Sequence, residues 1–193
     1  MDGLNGFVLA GGQSSRMGAD KAMLELWGRT LLKQALETVS KVASQVWILG
    51  SREKFGKFGH VIEDEFPAHG PLGGIHAALR ASERDLNLIL AVDMPFVEAR
   101  FLGYLAEEAI RAAAMITIPR TAGGWQPLCA VYRREFAEVA EFALRAGNNK
   151  IDPLFGQVPL RVVEEVELKE RDFAVEMFRN LNTPEDLSAA RRS

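Results

Sequence analysis

A single cysteine among 193 residues leaves nothing for an intrachain disulfide to form from, and a reducing compartment is the expectation. Cys129 lies in the apolar run Leu128-Cys129-Ala130-Val131-Tyr132 and reads as a buried strand residue rather than a nucleophile. Long apolar runs are also missing. The most apolar stretch, residues 86–92, is far short of the ~20 residues a spanning helix needs. The short run 6–10 has no basic residue before it and leads straight into glycines, unlike a secretory signal. The expectation is a soluble, cytoplasmic protein with no membrane partner. His60, His69 and His76 show no metal-ligand spacing, and no Cys/His cluster exists to bind zinc. There is no G-x-S-x-G elbow, and nothing points to a nucleophilic triad. Internal repeats and long linkers are absent too, so residues 1–193 read as one domain with two functional halves.

The composition, 48% hydrophobic and 25% charged, is that of an ordinary globular chain and gives disorder little support. A net charge of −3 argues against general nucleic-acid binding. That charge is unevenly spread. Residues 1–60 carry eight Lys/Arg against five Asp/Glu, net +3, which leaves −6 for the remainder. A mildly cationic first part suits an anionic ligand, although screened surface charge produces the same count.

Short β-type runs at 6–10, 46–50, 86–92, 115–119, 128–132 and 161–166, with a brief one at 60–62, alternate with helical patterns. Apolar residues recur at helical spacing over 31–43, 72–81, 99–113 and 135–146. Thr30 is placed to cap the first helix, and Thr183-Pro184-Glu185-Asp186 has the form of a helix start. This alternation implies an α/β fold: a Rossmann-like three-layer sandwich with a mainly parallel central sheet. Right-handed crossovers then gather the loops that follow the strands at the sheet's carboxyl edge, where such folds bind ligands.

Directly after the first strand comes Leu9-Ala10-Gly11-Gly12-Gln13-Ser14-Ser15-Arg16-Met17-Gly18-Ala19-Asp20-Lys21. Glycines let backbone N–H groups converge on phosphate oxygens, and Arg16 and Lys21 add the charge that holds a polyanion. The spacing is neither that of a Walker A loop nor G-x-G-x-x-G. On glycine content alone, a tight structural turn is an equal reading. Other positions are similarly two-sided. Asp93 ends an apolar strand at the ligand-binding edge and reads either as a Mg²⁺ ligand or as a turn aspartate. Asp64 sits in the acidic run Glu63-Asp64-Glu65, of a kind most often solvated. Gly70, Gly73 and Gly74 either admit a ligand or shape a helix entry. Asn180 and Asn182 suit turn and cap chemistry. His69 is the histidine nearest the expected site, and Trp27, Trp47 and Trp125 read as core or rim residues.

The thirteen positions from Leu9 to Lys21 match the signature L-A-G-G-x-S-x-R-M-G-x-D-K. The chain therefore resembles nucleotidyltransferases, and among them the molybdenum cofactor guanylyltransferases. Val61-Ile62-Glu63-Asp64 with Gly70-Pro71-Leu72-Gly73-Gly74-Ile75, Ala91 through Val97, Gln126-Pro127-Leu128 and Asn180 through Leu187 also resemble that family. The resemblance implies that Leu9, Ala10, Gly11, Gly12, Lys21, Asp64, Gly74 and Asp93 bind the nucleotide. It implies catalytic roles for Arg16, Lys21 and Asp93, with Asp93 holding Mg²⁺. Gln126, Pro127, Asn180 and Asn182 would contact the acceptor, with Trp125 close by. GTP and molybdopterin are the implied substrates, with transient contact to molybdoenzymes or their chaperones. One departure matters. Members often carry an asparagine after the second strand, near the base, where this chain has Gly50 and Ser51. Two alternatives stay open: a cytidylyltransferase acting on molybdopterin or another small phosphate, and a non-catalytic module that binds GTP or carries the cofactor.

Overall fold

The computed structural model describes residues 3–11, 20–66 and 69–192. In chain order these form β1 (Leu4–Leu9), a 3-10 turn (Lys21–Met23), β2 (Glu25–Leu26), β3 (Arg29–Thr30), α1 (Leu31–Ser40) and β4 (Gln45–Leu49). Next come α2 (Arg52–Phe55), β5 (Val61–Ile62), α3 (Gly70–Ala81), β6 (Leu86–Ala91) and α4 (Ala99–Arg111). The remainder holds β7 (Ile116–Thr121), β8 (Gly124–Trp125), β9 (Cys129–Arg133), α5 (Phe136–Arg145), a 3-10 turn (Asp152–Gly156) and β10 (Leu160–Glu164). The chain closes with α6 (Glu165–Glu170), a 3-10 turn (Val175–Phe178) and α7 (Pro184–Ala190).

The main sheet runs β10-β7-β9-β6-β1-β4-β5, with β8 hydrogen-bonded to β7. Pairings β6–β1, β1–β4, β4–β5 and β10–β7 are parallel. Alternate residues of each strand serve opposite faces, as the two-residue period requires. Leu88 and Leu90 of β6 join Cys129 and Val131 of β9 in a core under α1, α4 and α6. Ile89, Ala130 and Tyr132 face the other way, into a core shared with α3 and α5. Those two layers on one sheet make the α/β sandwich that the strand–helix alternation implies.

Three local features depart from the sequence expectation. β9 is antiparallel to both β6 and β7. The connection from β7 to β9 is too short for a parallel crossover, which takes a dozen or more residues. The strand expected to reach Val166 stops at Glu164, because the Glu167 carboxylate accepts the Glu164 N–H at 3.0 Å and starts α6 there. Lastly, a small antiparallel hairpin, β2–β3, stands between the glycine-rich segment and α1. The caps follow expectation: Thr30 Oγ1 accepts from Lys33 N at 3.3 Å, and Thr183 Oγ1 from Asp186 N at 3.1 Å. Cys129 is fully buried, and burial pushes its thiol far above the usual range.

Candidate active site

The parallel strands β6, β1 and β4 end at one edge, and the exits of β6 and β1 line a cleft of about 200 Å³. Among the described residues its walls are Leu9 to Gly11 after β1, Asp20 and Lys21, Pro71 at the start of α3, Ala91 to Asp93 after β6, and Leu128. The backbone is stitched across the strand ends. Ala10 N and Gly11 N both donate to Leu49 O at 3.0 Å, and Val92 N donates to Leu9 O at 3.0 Å. β9 enters the same edge because it runs antiparallel, and Ala91 N donates to Leu128 O at 2.8 Å. The N-terminus of α3, with Pro71 in its first turn, is the positive end of a helix and favours an anion beside it.

Lys21 is the hub. Its Nζ lies 3.0 Å from Asp93 Oδ2 and 2.7 Å from Asn182 Oδ1, so one ammonium joins three distant segments. Lys21 and Asp93 are each about one-fifth exposed, which shields their ion pair from full solvent screening. Asn182 is held from behind. The Asp186 carboxylate accepts the N–H groups of Asn182 and Thr183, each at 2.9 Å. Those two backbone hydrogen bonds hold the Asp186 carboxyl below its usual range. Leu181 N donates to Asp93 O at 2.9 Å, which pins this segment to the exit of β6. Asp20, a residue the sequence reading did not single out, caps the Lys21–Met23 turn through Ala22 N and pairs with Lys54 at 3.0 Å. Its position one residue before Lys21, as a residue type suited to capping, is the signal that could have found it.

Asp64 lies at the same edge but off β5, three strand positions from β6, or about 14 Å at the usual ~4.8 Å spacing. Its Oδ1 accepts Phe66 N at 2.7 Å, and its carboxylate rests against Gly73, where a Cβ would overlap it. Burial raises the Asp64 pKa, with the Phe66 N–H opposing. Gly74 is buried within α3, and a Cβ there would come 2.7 Å from Leu9 Cδ1, so its small size seats Leu9. Gly11 and Gly50 are in close approach, since a Cβ on Gly50 would stand 3.2 Å from Gly11 N.

The remaining candidates are more dispersed. Gln126 and Pro127 sit beside the cleft residue Leu128. Gln126 N donates to Pro119 O at 3.0 Å, and Pro127 O accepts the Tyr132 hydroxyl at 2.7 Å. Asn180 is exposed two residues from Asn182. Trp47 stacks on Phe7, Trp125 packs on Phe155, and Trp27 stands exposed on the β2–β3 turn. His69 opens α3 and meets the Phe66 ring edge-on. His76 is buried, 3.6 Å from Glu141. Gly12 and Arg16 lie outside the described residues.

The exits of β1 and β6, Lys21 and Asp93 thus meet in one cleft, and the chain as a whole is similar to known proteins. Residues 6–159 match the model of the MobA-like NTP transferase domain. The chain belongs to the MobA-like NTP transferase family. A probable molybdenum cofactor guanylyltransferase of Pelotomaculum thermopropionicum is 35% identical over 96% of this chain and 91% of its own length. The molybdenum cofactor guanylyltransferase of Desulfosudis oleivorans is 32% identical, covering 98% of this chain and 95% of its own. Among solved structures, molybdopterin-guanine dinucleotide biosynthesis protein A of Archaeoglobus fulgidus superposes with a TM-score of 0.86 at 29% identity, covering 97% of each chain. MobA-like membership makes this chain a nucleotidyltransferase. No helix among the described residues is long and apolar enough to cross a membrane.

Proposed function

We propose that the chain transfers GMP from GTP to the phosphate of molybdenum-molybdopterin, releasing pyrophosphate and forming the guanine dinucleotide cofactor. The observation that carries this reading is the Lys21 contact with both Asp93 and Asn182. It joins the nucleotide loop, the exit of β6 and the carboxy-terminal segment at one point, where two phosphorylated substrates have to meet. The near full-length likeness to proteins named for this reaction supports it.

An acceptor phosphate oxygen attacks the α-phosphorus of GTP. The bond from that phosphorus to the α–β bridging oxygen breaks, and the electron pair leaves with pyrophosphate. Because both reactants are anions, the protein's task is to neutralise and align them. Lys21 takes the developing negative charge. Asn182, braced by Asp186, orients the acceptor, with Asn180, Gln126 and Pro127 beside it. Asp64 and Gly74 belong to the nucleotide side, and Arg16 adds charge in the loop. The acceptor phosphate is already ionised near neutral pH, so no strong general base is required.

Mg²⁺ fits this donor set. It is usually held by one or two carboxylates plus substrate phosphates, and Asp93 offers one carboxylate in the cleft, engaged here by a cationic ammonium. When bound there, the ion would neutralise phosphate charge. In this reading the loops after β1 and β5 serve the nucleotide and the segment carrying Asn180 and Asn182 serves the acceptor, within one cytoplasmic enzyme.

The test is a screen of the four nucleoside triphosphates against molybdopterin and common sugar phosphates, scored by pyrophosphate release. GTP with molybdopterin is the expected pair. A preference for CTP moves the chain to cytidylyl transfer, turnover with a sugar phosphate alone overturns the acceptor, and GTP binding without turnover means a carrier or sensor.

A further inference from the structure

The β2–β3 hairpin turns through two residues, Trp27 and Gly28, at φ +53° and +74°. Two-residue turns with both residues left-handed favour Asn-Gly or Asp-Gly, and a bulky aromatic in the first position is a true outlier. Packing does not compensate for it, because Trp27 is 53% exposed. The hairpin is nonetheless held firmly. Buried Gln34 of α1 donates through Nε2 to Leu26 O at 2.7 Å and to Arg29 O at 3.0 Å, gripping both sides of the turn. Arg191, just beyond α7, donates to Glu25 O at 2.8 Å. A locally disfavoured conformation kept by such bracing points from the outlier to a function.

The neighbours of Trp27 are aromatic and cationic. The indole meets the Phe96 ring edge-on at 5.9 Å, and the Arg179 guanidinium stands over the same ring at 5.5 Å. Arg179 is oriented by a 3.1 Å hydrogen bond to Asp186 O. Trp27 follows Lys21, Phe96 follows Asp93 by three residues, and Arg179 precedes Asn182 by three. The cluster therefore grows from the same three segments that converge at the cleft. Through Arg179 and its bond to Asp186 O, the cluster is tied to the carboxy-terminal segment that carries Asn182.

We propose that Trp27, Phe96 and Arg179 form a stacking platform for the flat, nitrogen-rich ring system of the acceptor. An exposed indole face binds a planar heteroaromatic ring, and a guanidinium beside it adds cation–π attraction and charge complementary to a phosphorylated ligand. This inference rests on the acceptor named under the proposed function, and it assigns the ring of that acceptor rather than its phosphate.

The decisive variant is Trp27→Asn, which removes the ring and gives the turn the residue it prefers. Its thermal midpoint is expected to equal or exceed that of the parent protein, so lost folding cannot explain lost binding. The KM for molybdopterin is expected to rise about tenfold, within the range that loss of one stacking ring produces. The KM for GTP stays put. Trp27→Phe keeps a ring and recovers most of the acceptor affinity. Molybdopterin quenches indole emission in the parent protein and leaves that of Trp27→Asn largely unchanged. An unaltered molybdopterin KM in Trp27→Asn, or an equal rise in the GTP KM, overturns the platform while the guanylyl-transfer reading stands. If the parent protein releases no pyrophosphate from GTP with molybdopterin, the reading fails and the platform falls with it.

Discussion

Lys21 grips Asp93 across 72 residues of sequence, at 3.0 Å, and the same ammonium reaches Asn182 at 2.7 Å. On the proposed function, binding of a triphosphate and its counter-cation would redistribute an existing ion pair rather than fill an inert hollow. The ammonium would be drawn from carboxylate to phosphate, and the carboxylate freed for a divalent ion.

Lys21→Ala removes that mobile charge. Turnover is expected to fall by about two orders of magnitude or more, as when one preorganised donor is deleted from a reacting centre. Circular dichroism establishes that the variant is folded. A rate near the parent's would reduce Lys21 to a tie between loops.

Asp93→Asn keeps shape and loses charge. The Mg²⁺ concentration needed for half-maximal rate should rise and kcat/KM should drop by about a hundredfold, with GTP binding partly retained. A superimposable Mg²⁺ titration would make Asp93 a strand-end turn residue.

Gly73→Ala places a Cβ where the Asp64 carboxylate now rests. The expected cost is about 1–3 kcal/mol, read from the denaturant midpoint, because α3 and the Asp64 segment cannot both keep their positions. Adding Asp64→Ala should recover part of that stability. Additive losses in the double variant would show that the two residues do not press on each other.

Acid should loosen the segment carrying Asn182. The Asp186 carboxylate is stabilised by two backbone N–H donors, so its folded pKa lies below the ordinary aspartate value of about 3.9. A group depressed in this way contributes stability that is complete above the unfolded value and disappears as pH falls through the folded one. Exchange protection of the Asn182 and Thr183 amides should therefore hold at pH 5 and be lost below about pH 4. In Asp186→Asn it should be weak at both, and equal protection in parent and variant would remove Asp186 from the brace.

Gly11→Ala tests base choice. The loop begins Leu9-Ala10-Gly11-Gly12, the start of the signature by which this chain resembles guanylyltransferases. Gly11 does not need a left-handed backbone, and an added Cβ would stand 3.4 Å from Gly50 Cα and 3.6 Å from Leu49 O. The methyl is thus accommodated at some crowding, and its effect falls on the space left for a base. The ratio of kcat/KM for GTP to that for CTP should fall by about tenfold, the usual scale for a small change of pocket shape. An unchanged ratio would move base selection to Gly50 and Asp64.

Most strands and long helices were legible because their apolar residues kept the two-residue or the helical period. Asp93 and Lys21 were legible from motif and position, one at a strand exit and one after the glycines. The meeting of Lys21 with Asn182 was not, since periodicity carries no information about contacts so distant in sequence. The antiparallel direction of β9 was available in principle from the short connection before it. The β2–β3 hairpin was hidden by its own turn, where Trp27 stands in place of the Asn or Asp that announces such hairpins.

Synthesis order gives the Lys21–Asn182 contact a temporal meaning. A chain folding as it is made can assemble β1, β4 and β6 while the residues from 179 onward do not yet exist. In that interval the Lys21–Asp93 pair can form, but the Asn182 contact, 161 residues from its lysine, cannot. The segment carrying Asn182 thus acts as a completion mark. On the proposed function, competence to join two substrates waits for the segment that carries Asn182, after the strands beneath the cleft are built.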